Sequence, residues 1–190
     1  EVSERYEFMK TQIDDVESSR EELLALIGDL TGKRSERFRG QFDRINSIFG
    51  QTFSELFSGG KAELILENPL DVLECASEIK VQPPGKNVQN IDLLSGGEKG
   101  LAAIALLFSI LKVTPAPFCF FDEVEAALVD VNGTRYAQYA LRMTKNTQFI
   151  LIPHIRGIMD EADVLYGVTM QEDGVSKLLE LKTAEMAKKL

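Results

Sequence analysis

The chain reads Pro-Phe-Cys-Phe-Phe-Asp-Glu from Pro117 to Glu123, and its four apolar residues, Phe118 to Phe121, lead into two adjacent carboxylates. A short apolar run of this kind is typical of a buried parallel strand. Ligands of open α/β sheets bind at the carboxyl ends of such strands. Asp122 and Glu123 are therefore candidates to organise the water shell of Mg²⁺ and to polarise an attacking water. The alternative is a strand end whose acids are simply solvated.

Upstream of this strand the chain reads Leu-Ser-Gly-Gly-Glu-Lys from Leu94 to Lys99, followed by an apolar helix predicted from about Leu101 to Leu111. Ser95 is a good N-cap, and Gly96 and Gly97 expose backbone N–H groups at the positive end of the helix. Such an end binds phosphate. A capped, buried helix with a flexible entry is the alternative.

A second apolar strand is predicted from Thr147 to Ile152, and it ends in Pro153 and His154. A lone histidine is more often structural than catalytic. Here, however, it falls at a strand tip beside the expected position of the two acids, so His154 is a candidate for a contact with the γ-phosphate.

The start of the chain predicts a coiled coil over residues 1–32. Apolar residues recur there at steps of three and four, a period that favours left-handed supercoiling with a second helix: Val2, Tyr6, Met9, Ile13, Val16, Leu23, Ile27 and Leu30. An ordinary amphipathic helix is the alternative. An aromatic stripe from Phe38 to Phe57 then predicts a helix entering a globular lobe, residues 33–190, with its end at Ser58-Gly59-Gly60, where glycines can take positive φ.

Short strands are also predicted at Ala62–Leu66 and Glu78–Val81, and a closing hairpin at Val164–Met170 and Val175–Lys182, with its turn at 172–174. Gly-Lys pairs such as Gly85-Lys86 lack the first glycine and the hydroxyl of a Gly-x-x-x-x-Gly-Lys-Ser/Thr phosphate loop. The sequence therefore predicts no phosphate loop in this chain.

Composition narrows the possible classes of protein. Of 190 residues 44% are hydrophobic and 27% charged, which excludes wholesale disorder, and the net charge of −9 disfavours a free polyanion-binding domain. Two cysteines and one histidine exclude a Cys/His zinc cluster and a disulfide framework. The longest apolar stretch, Leu101–Val113, is shorter than the ~20 residues of a membrane span. Because the first residues also lack the layout of a secretory signal, we expect a cytosolic protein.

These residues carry a resemblance to a known family. Ser95 to Glu98 resemble the signature motif of ABC-type ATPases, Phe118 to Glu123 their Walker B strand, and His154 their switch histidine. Three strings resemble, more specifically, the C-terminal head half of bacterial SMC chromosome-maintenance proteins, over nearly the entire chain: Phe53-x-x-Leu56-Phe57-x-Gly59-Gly60, Gln82-Pro83-Pro84-Gly85-Lys86 and Asp122-Glu123-Val124-Glu125-Ala126-Ala127-Leu128.

The fold that this resemblance implies is α/β: the C-terminal lobe of an ABC-type P-loop ATPase head, a mostly parallel sheet flanked by helices, with an N-terminal coiled-coil helix. ATP and Mg²⁺ are the implied cofactors. Asp122 would hold Mg²⁺ through water, Glu123 would orient or deprotonate the hydrolytic water, and His154 would touch the γ-phosphate in cis. The cofactor-binding segment Ser95, Gly96, Gly97, Glu98 and Lys99 would act on the nucleotide of the opposite head.

The implied partners are the N-terminal head half with its phosphate loop, a second head in a homodimer, a kleisin-type bridging subunit and, in the full assembly, DNA. No membrane is implied, and the expected location is cytoplasmic and nucleoid-associated. The implied function is ATP-dependent head engagement and hydrolysis that drive chromosome condensation, segregation and DNA loading.

Two departures favour an alternative, an ATP-gated dimerisation and kleisin-binding module with weak hydrolysis. Val129 stands where the family has Asp, and Pro153 and Ile155 flank the histidine where Thr and Arg are common. Proline fixes φ and donates no N–H, so we expect weaker turnover than in family members with the usual residues. A DNA-repair ATPase and a transporter ATPase are further alternatives; the heptads argue against the transporter.

Overall fold

The computed structural model describes residues 1–87, 89–170 and 174–182. Two compact units divide the chain: one comprises Glu1–Asp43 with Leu66–Ala76, and the other comprises Arg44–Ile65 with Ser77–Leu190. The elements in chain order are α1 (Val2–Phe57), β1 (Lys61–Leu66), β2 (Ser77–Gln82), β3 (Gln89–Asn90), a 3₁₀ turn (Ile91–Leu93), α2 (Gly96–Val113), β4 (Phe118–Asp122), α3 (Asp130–Met143), β5 (Gln148–Ile152), α4 (Arg156–Met159), β6 (Val164–Met170) and β7 (Ser176–Lys182).

Helix α1 continues without a break through Thr31 and Gly32, where the sequence pattern predicts the end of the rod. The division between the two compact units falls in this helix after Asp43. Burial also begins later in the helix: the apolar heptad residues of its first half are exposed, whereas its buried side chains are Phe49, Thr52, Phe53 and Leu56. The helix thus passes from exposed to buried surroundings without an interruption of its backbone hydrogen bonds.

The glycine pair after α1 ends the helix as predicted. Gly59 has φ 129° and Gly60 has φ 87°. A Cβ on Gly60 would lie 2.4 Å from the carbonyl oxygen of Gln82. Glycine is therefore required at this position both by conformation and by the close approach of β2.

The strands form three small sheets, so the expectation of a mostly parallel sheet is wrong for the described residues. Strands β4 and β5 pair in parallel, from Phe118 opposite Gln148 to Asp122 opposite Ile152. The first sheet has the order β1-β2-β3 with β2 and β3 antiparallel, and β6 and β7 form an antiparallel pair. A short connection can join only antiparallel strands, whereas helix α3 provides the longer crossover that parallel β4 and β5 need.

The predicted strands lie within one or two residues of the observed ones, and the closing hairpin is confirmed, but the two-residue strand β3 was not predicted. Its predicted turn residues Glu172 and Asp173 lie outside the described residues. Helix α2 is longer than predicted, because it begins at Gly96 rather than near Leu101.

An aromatic cluster holds β4 and β5 against α2 and α3. Phe108 of α2 is fully buried at its centre, with ring centroids 5.0 to 6.4 Å from those of four neighbours: Phe121, Tyr136, Tyr139 and Phe149. The Tyr139 hydroxyl also donates a hydrogen bond of 3.1 Å to Oγ1 of Thr52 in α1. This packing fixes the strand ends on which the predicted site lies. Within the described ranges, no helix combines the length and apolarity needed to cross a bilayer.

Candidate functional site

The site begins at the carboxyl ends of β4 and β5, where the parallel register places Asp122 opposite Ile152. The backbone N–H of Glu123 extends the ladder by donating to the Ile152 carbonyl at 3.1 Å. Two residues beyond the end of β5, Nε2 of His154 lies 2.8 Å from Oε1 of Glu123, and both side chains are more than half exposed. The structure thus brings together the two residues predicted to be catalytic; their roles stay predictions.

Glu123 has an unusual backbone conformation, with φ at 50° in the left-handed region. This conformation is uncommon outside glycine, and strain of this kind clusters at functional sites. The chain turns immediately after the strand, and the Glu123 carbonyl accepts from the N–H of Ala126 at 3.0 Å. The turn directs the Glu123 carboxylate towards His154, while Asp122 keeps its place at the end of the strand.

The predicted phosphate-binding segment is held in shape by Glu98. Its Oε2 accepts hydrogen bonds from the backbone N–H of Ser95 at 3.2 Å and from the Ser95 hydroxyl at 2.8 Å. Lys86 reaches the same carboxylate, with Nζ 2.7 Å from Oε1 and 2.9 Å from Oε2. The hydrogen bond from Lys86, and after it the one from Ser95, holds the pKa of Glu98 below its ordinary value. Glu98 is therefore an anion that keeps the Ser95 hydroxyl turned towards it at neutral pH.

The two glycines of the segment have different surroundings. A Cβ on Gly96 would meet nothing within 4 Å, whereas one on Gly97 would lie 3.2 Å from the carbonyl oxygen of Ala127. The N-terminus of α2 therefore packs on the loop that follows Glu123, with the Gly96 side open. Lys99, also predicted to bind the cofactor, forms an ion pair with Asp92 at 3.0 Å.

Metal chemistry at this site fits one mode of binding only. The described ranges contain no group of three or more His, Cys, Asp or Glu side chains that could hold a metal ion. Mg²⁺ commonly keeps several waters and takes one or two carboxylates plus substrate phosphates. The exposed carboxylate of Asp122 at the strand tip fits that mode.

Two residues with clear contacts were not predicted from the sequence. Glu125 is only 3% exposed, and its Oε1 accepts the backbone N–H of His154 at 2.8 Å. Lys86 contacts Glu98 across a separation of 12 residues. Both belong to strings that carried the family resemblance, which was the available signal, but their partners depend on the folding of distant loops.

Comparison with known proteins identifies the family of this chain. The family model described as RecF/RecN/SMC N terminal domain matches residues 4–177. This chain belongs to the RecF/RecN/SMC family. Chromosome partition protein Smc of Bacillus subtilis (strain 168) is 53% identical over 184 residues, which are 97% of this chain and 16% of that protein.

Solved SMC structures agree with the chain in fold. One, described as "Structural biochemistry of ATP-driven dimerization and DNA stimulated activation of SMC ATPases", has 40% identity and a TM-score of 0.74, covering 81% of this chain and 93% of that one. The Smc head domain of Pyrococcus furiosus with an extended coiled coil, bound to the C-terminal domain of ScpA, has 38% identity and a TM-score of 0.79, covering 98% of this chain and 47% of that one.

These matches show how much of an SMC protein the chain covers and which region of it they support. The chain spans only 16% of the length of the Bacillus subtilis relative. The matching model is described as an N-terminal domain, whereas the sequence analysis expected the C-terminal half of the head. The match supports an SMC head region and does not support that placement.

Proposed function

We propose that this chain is one lobe of an SMC-type ATPase head, which hydrolyses ATP when a phosphate-loop lobe and a second head complete the site. The observation that carries the proposal is the contact between Glu123 and His154 at the tips of adjacent parallel strands, with Asp122 beside them. A carboxylate, an imidazole and a candidate Mg²⁺ ligand at one sheet edge are the groups that phosphoryl transfer to water needs.

The outer face of the β4–β5 pair supports the need for a second lobe. Phe118 and Phe120 are 61% and 57% exposed, and Ile150 and Ile152 are 42% and 44% exposed. These four side chains form a contiguous apolar face that leads directly to the acids, and such faces mark interaction sites. Since the sequence contains no phosphate loop, we propose that the lobe supplying that loop covers this face.

Each residue then has a role that its position permits. Asp122 would hold Mg²⁺ through water, and the ion would supply neutralisation of the charge on the transferred phosphoryl group. Glu123 orients or deprotonates the attacking water, and His154 positions Glu123 and contacts the γ-phosphate in cis. Ser95 and the N–H of Gly97 serve the nucleotide of the opposite head, where the positive end of α2 favours the phosphate. Loss of the γ-phosphate removes a contact shared by both heads, so hydrolysis lets them separate.

Replacement of the proposed base tests hydrolysis. In a head reconstituted with its phosphate-loop lobe, Glu123→Gln should slow phosphate release by about 100-fold or more, in keeping with the usual contribution of a general base. ATP-dependent dimerisation should persist. Glu63→Gln, the same change at an exposed residue of β1, is the control. Phosphate release by the Glu123 variant at the wild-type rate would exclude Glu123 as the base.

A bulky side chain in the signature segment tests engagement separately. Ser95→Arg should abolish ATP-dependent dimerisation, because the arginine would occupy the space of the opposite nucleotide. Ser77→Arg at the exposed start of β2 is its control. Sedimentation of the Glu123→Gln protein with and without Ser95→Arg measures the effect, and a dimer that survives the arginine would place Ser95 outside the interface.

A second candidate function is an ATP-gated dimerisation module that binds a kleisin-type subunit and hydrolyses ATP weakly. Val129 supports it, because this residue is the N-cap of α3 and makes no side-chain cap hydrogen bond, although Asp is a preferred cap. The Pyrococcus furiosus head was solved bound to the C-terminal domain of ScpA, which supports a similar partner here. Phosphate release with Val129→Asp separates the candidates, since a marked gain would show that this position limits turnover.

The rest of the assembly is proposed on the same basis. Residues 1–32 form one strand of a coiled coil, 33–190 form the lobe, and the whole protein acts on DNA in the nucleoid. The exposed apolar heptad residues of α1 support the rod, because a two-stranded coiled coil would cover them.

A further inference from the structure

Glu125 is a buried carboxylate for which the hydrolysis scheme gives no role. It lies in the loop between β4 and α3, and only 3% of its surface is exposed. A buried charge is costly unless it is paired or hydrogen-bonded. Its Oε1 accepts a hydrogen bond of 2.8 Å from the backbone N–H of His154. This hydrogen bond offsets part of that cost and ties the Glu125 carboxylate to the backbone of His154.

The contact joins two loops that must meet for the site to form. Three links connect them: Glu123 N–H to the Ile152 carbonyl at 3.1 Å, His154 N–H to Glu125 at 2.8 Å, and His154 Nε2 to Glu123 Oε1 at 2.8 Å. The first link belongs to the end of the strand ladder. The other two fix both the backbone and the side chain of His154.

Pro153 makes the Glu125 link more important. Proline has no backbone N–H, so after the strand ends at Ile152 the first backbone donor available to the loop is that of His154. The next residue, Ile155, is the N-cap of the short helix α4 and makes no side-chain cap hydrogen bond, so its side chain does not anchor the loop in this way. The carboxylate of Glu125 therefore anchors this loop at the residue whose side chain reaches Glu123.

We propose that Glu125 is a positioning residue, which holds the backbone of His154 so that its imidazole meets the Glu123 carboxylate and thereby sets the rate of hydrolysis rather than the affinity for ATP. The kinetic part of this inference rests on the proposed function. The structural part concerns this chain alone.

Two variants of similar length separate hydrogen bonding from packing. Glu125→Gln keeps an oxygen that can accept the His154 N–H, whereas Glu125→Met removes the acceptor and keeps most of the volume. His154 is the only histidine, so selective ¹⁵N-histidine labelling of the chain gives a single backbone amide signal. We expect that signal to be shifted downfield and protected from exchange in wild type and in the Gln variant, and to exchange at least about 10-fold faster in the Met variant.

The activity assay tests the consequence in the reconstituted head. We expect Glu125→Met to lower kcat by about 100-fold, as small misplacements of catalytic groups do, with KM changed less than about 2-fold. Glu125→Gln should restore most of the rate, and ATP-dependent dimerisation should remain in both variants. A purely structural role of the bond would instead lower the thermal midpoint of Glu125→Met and its yield of dimer.

Defined results would overturn the inference. An unprotected His154 amide in wild type would show that the bond is absent in solution, and equal rates for wild type and the Met variant would show that hydrolysis does not need it. If the Met variant does not fold, scalar coupling across the hydrogen bond from the ¹⁵N of His154 to the side-chain ¹³C of Glu125 decides the structural part in the wild-type chain. The Gln variant then decides the kinetic part, because a variant that keeps the protected His154 amide but loses the rate would overturn it. A reconstituted wild-type head without ATPase activity would overturn the proposed function, while the amide signal would still report on Glu125.

Discussion

Two tyrosines one turn apart on α3 should respond oppositely to the same substitution. Tyr136 and Tyr139 are each 1% exposed, and both rings stack on Phe108. Among the described residues, the Tyr136 hydroxyl has no hydrogen-bond partner, whereas the Tyr139 hydroxyl donates to Thr52. Replacement by phenylalanine removes the same oxygen from both places and leaves the rings.

The size of each effect follows from the state of the hydroxyl. A buried polar group without a partner costs about 1–3 kcal/mol, so we expect Tyr136→Phe to stabilise the fold by about 1 kcal/mol. Tyr139→Phe loses a hydrogen bond that contributes about 1 kcal/mol and leaves the Thr52 hydroxyl without its donor, so we expect it to destabilise by at least that amount. The two variants should therefore differ by about 2 kcal/mol.

Urea and thermal unfolding of the 190-residue chain measure the difference. For a chain of this size about 1 kcal/mol corresponds to a shift of 2–4 °C in Tm, so the two midpoints should separate to either side of wild type. Thr52→Val combined with Tyr139→Phe should recover part of the loss, because both members of the pair are then apolar. Equal destabilisation by the two tyrosine substitutions would refute the reasoning.

The buried phenol of Tyr136 should also make the stability of the fold depend on pH. Burial, and after it the negative charge of Glu125, raises the pKa of Tyr136 above its ordinary value. In the unfolded chain the phenol ionises near pH 10, while the native state keeps the proton. The stability contribution is thus complete below that pH and is lost as the pH rises above it, by up to about 1.4 kcal/mol per pH unit. Tyr136→Phe should remove this part of the alkaline loss, which unfolding curves at about pH 9 and pH 10.5 can detect.

Two further predictions concern the joint after α1 and the support of the signature segment. Gly60→Ala should destabilise the fold by about 2–4 kcal/mol, because the residue has φ 87° and its new Cβ would lie 2.4 Å from the Gln82 carbonyl oxygen. Gly85→Ala is the control, since Gly85 has φ 76° but a Cβ there would meet nothing within 4 Å, and it should cost about 1 kcal/mol. Urea unfolding measures both, and equal costs would mean that backbone conformation alone matters. Because the pKa of Glu98 is lowered by Lys86, that contact stabilises the fold above the ordinary carboxyl pKa and is lost as the pH falls through the lowered value. Lys86→Met should therefore reduce acid sensitivity by about 0.5–1 kcal/mol, the scale of an exposed ion pair, and an unchanged acid profile would contradict this.

The sequence predicted those parts of the fold that depend on local pattern. The spacing of apolar residues located α1, and Gly59 and Gly60 located its end, because positive φ is a property of single residues. The meeting of Glu123 and His154 was also predictable. Each follows the end of an apolar strand, and parallel register brings such ends to one edge.

Features that depend on which segments pair were not predictable in the same way. An apolar run indicates a strand but not the direction of its neighbour, so the mostly parallel sheet that the resemblance implied is not found in the first sheet, where β2 and β3 pair antiparallel. Helix α2 was predicted from about Leu101, where its apolar run begins. Its true start at Gly96 depends on Glu98 accepting from the Ser95 N–H. The positive φ of Glu123 had no signal in its residue type.

The contacts of Ser95 lead to a last prediction, which rests on the proposed function. A hydroxyl has one hydrogen, and that of Ser95 is donated to Glu98. To donate to a γ-phosphate it must leave Glu98, whose carboxylate then depends on Lys86 for its remaining charge-assisted contacts. Without Lys86 the carboxylate would hold the serine proton more tightly.

We therefore expect Lys86→Met to weaken ATP-dependent dimerisation of the Glu123→Gln head by about 5- to 30-fold, corresponding to the 1–2 kcal/mol of one charge-assisted bond. Lys80→Met, which removes the exposed ion pair with Glu78 on β2 and leaves Glu98 intact, is the matched control. Sedimentation at several protein concentrations gives both dimer affinities. If the two methionine variants dimerise equally well, Lys86 stabilises only the free lobe, and the release of Ser95 from Glu98 is not a step in engagement.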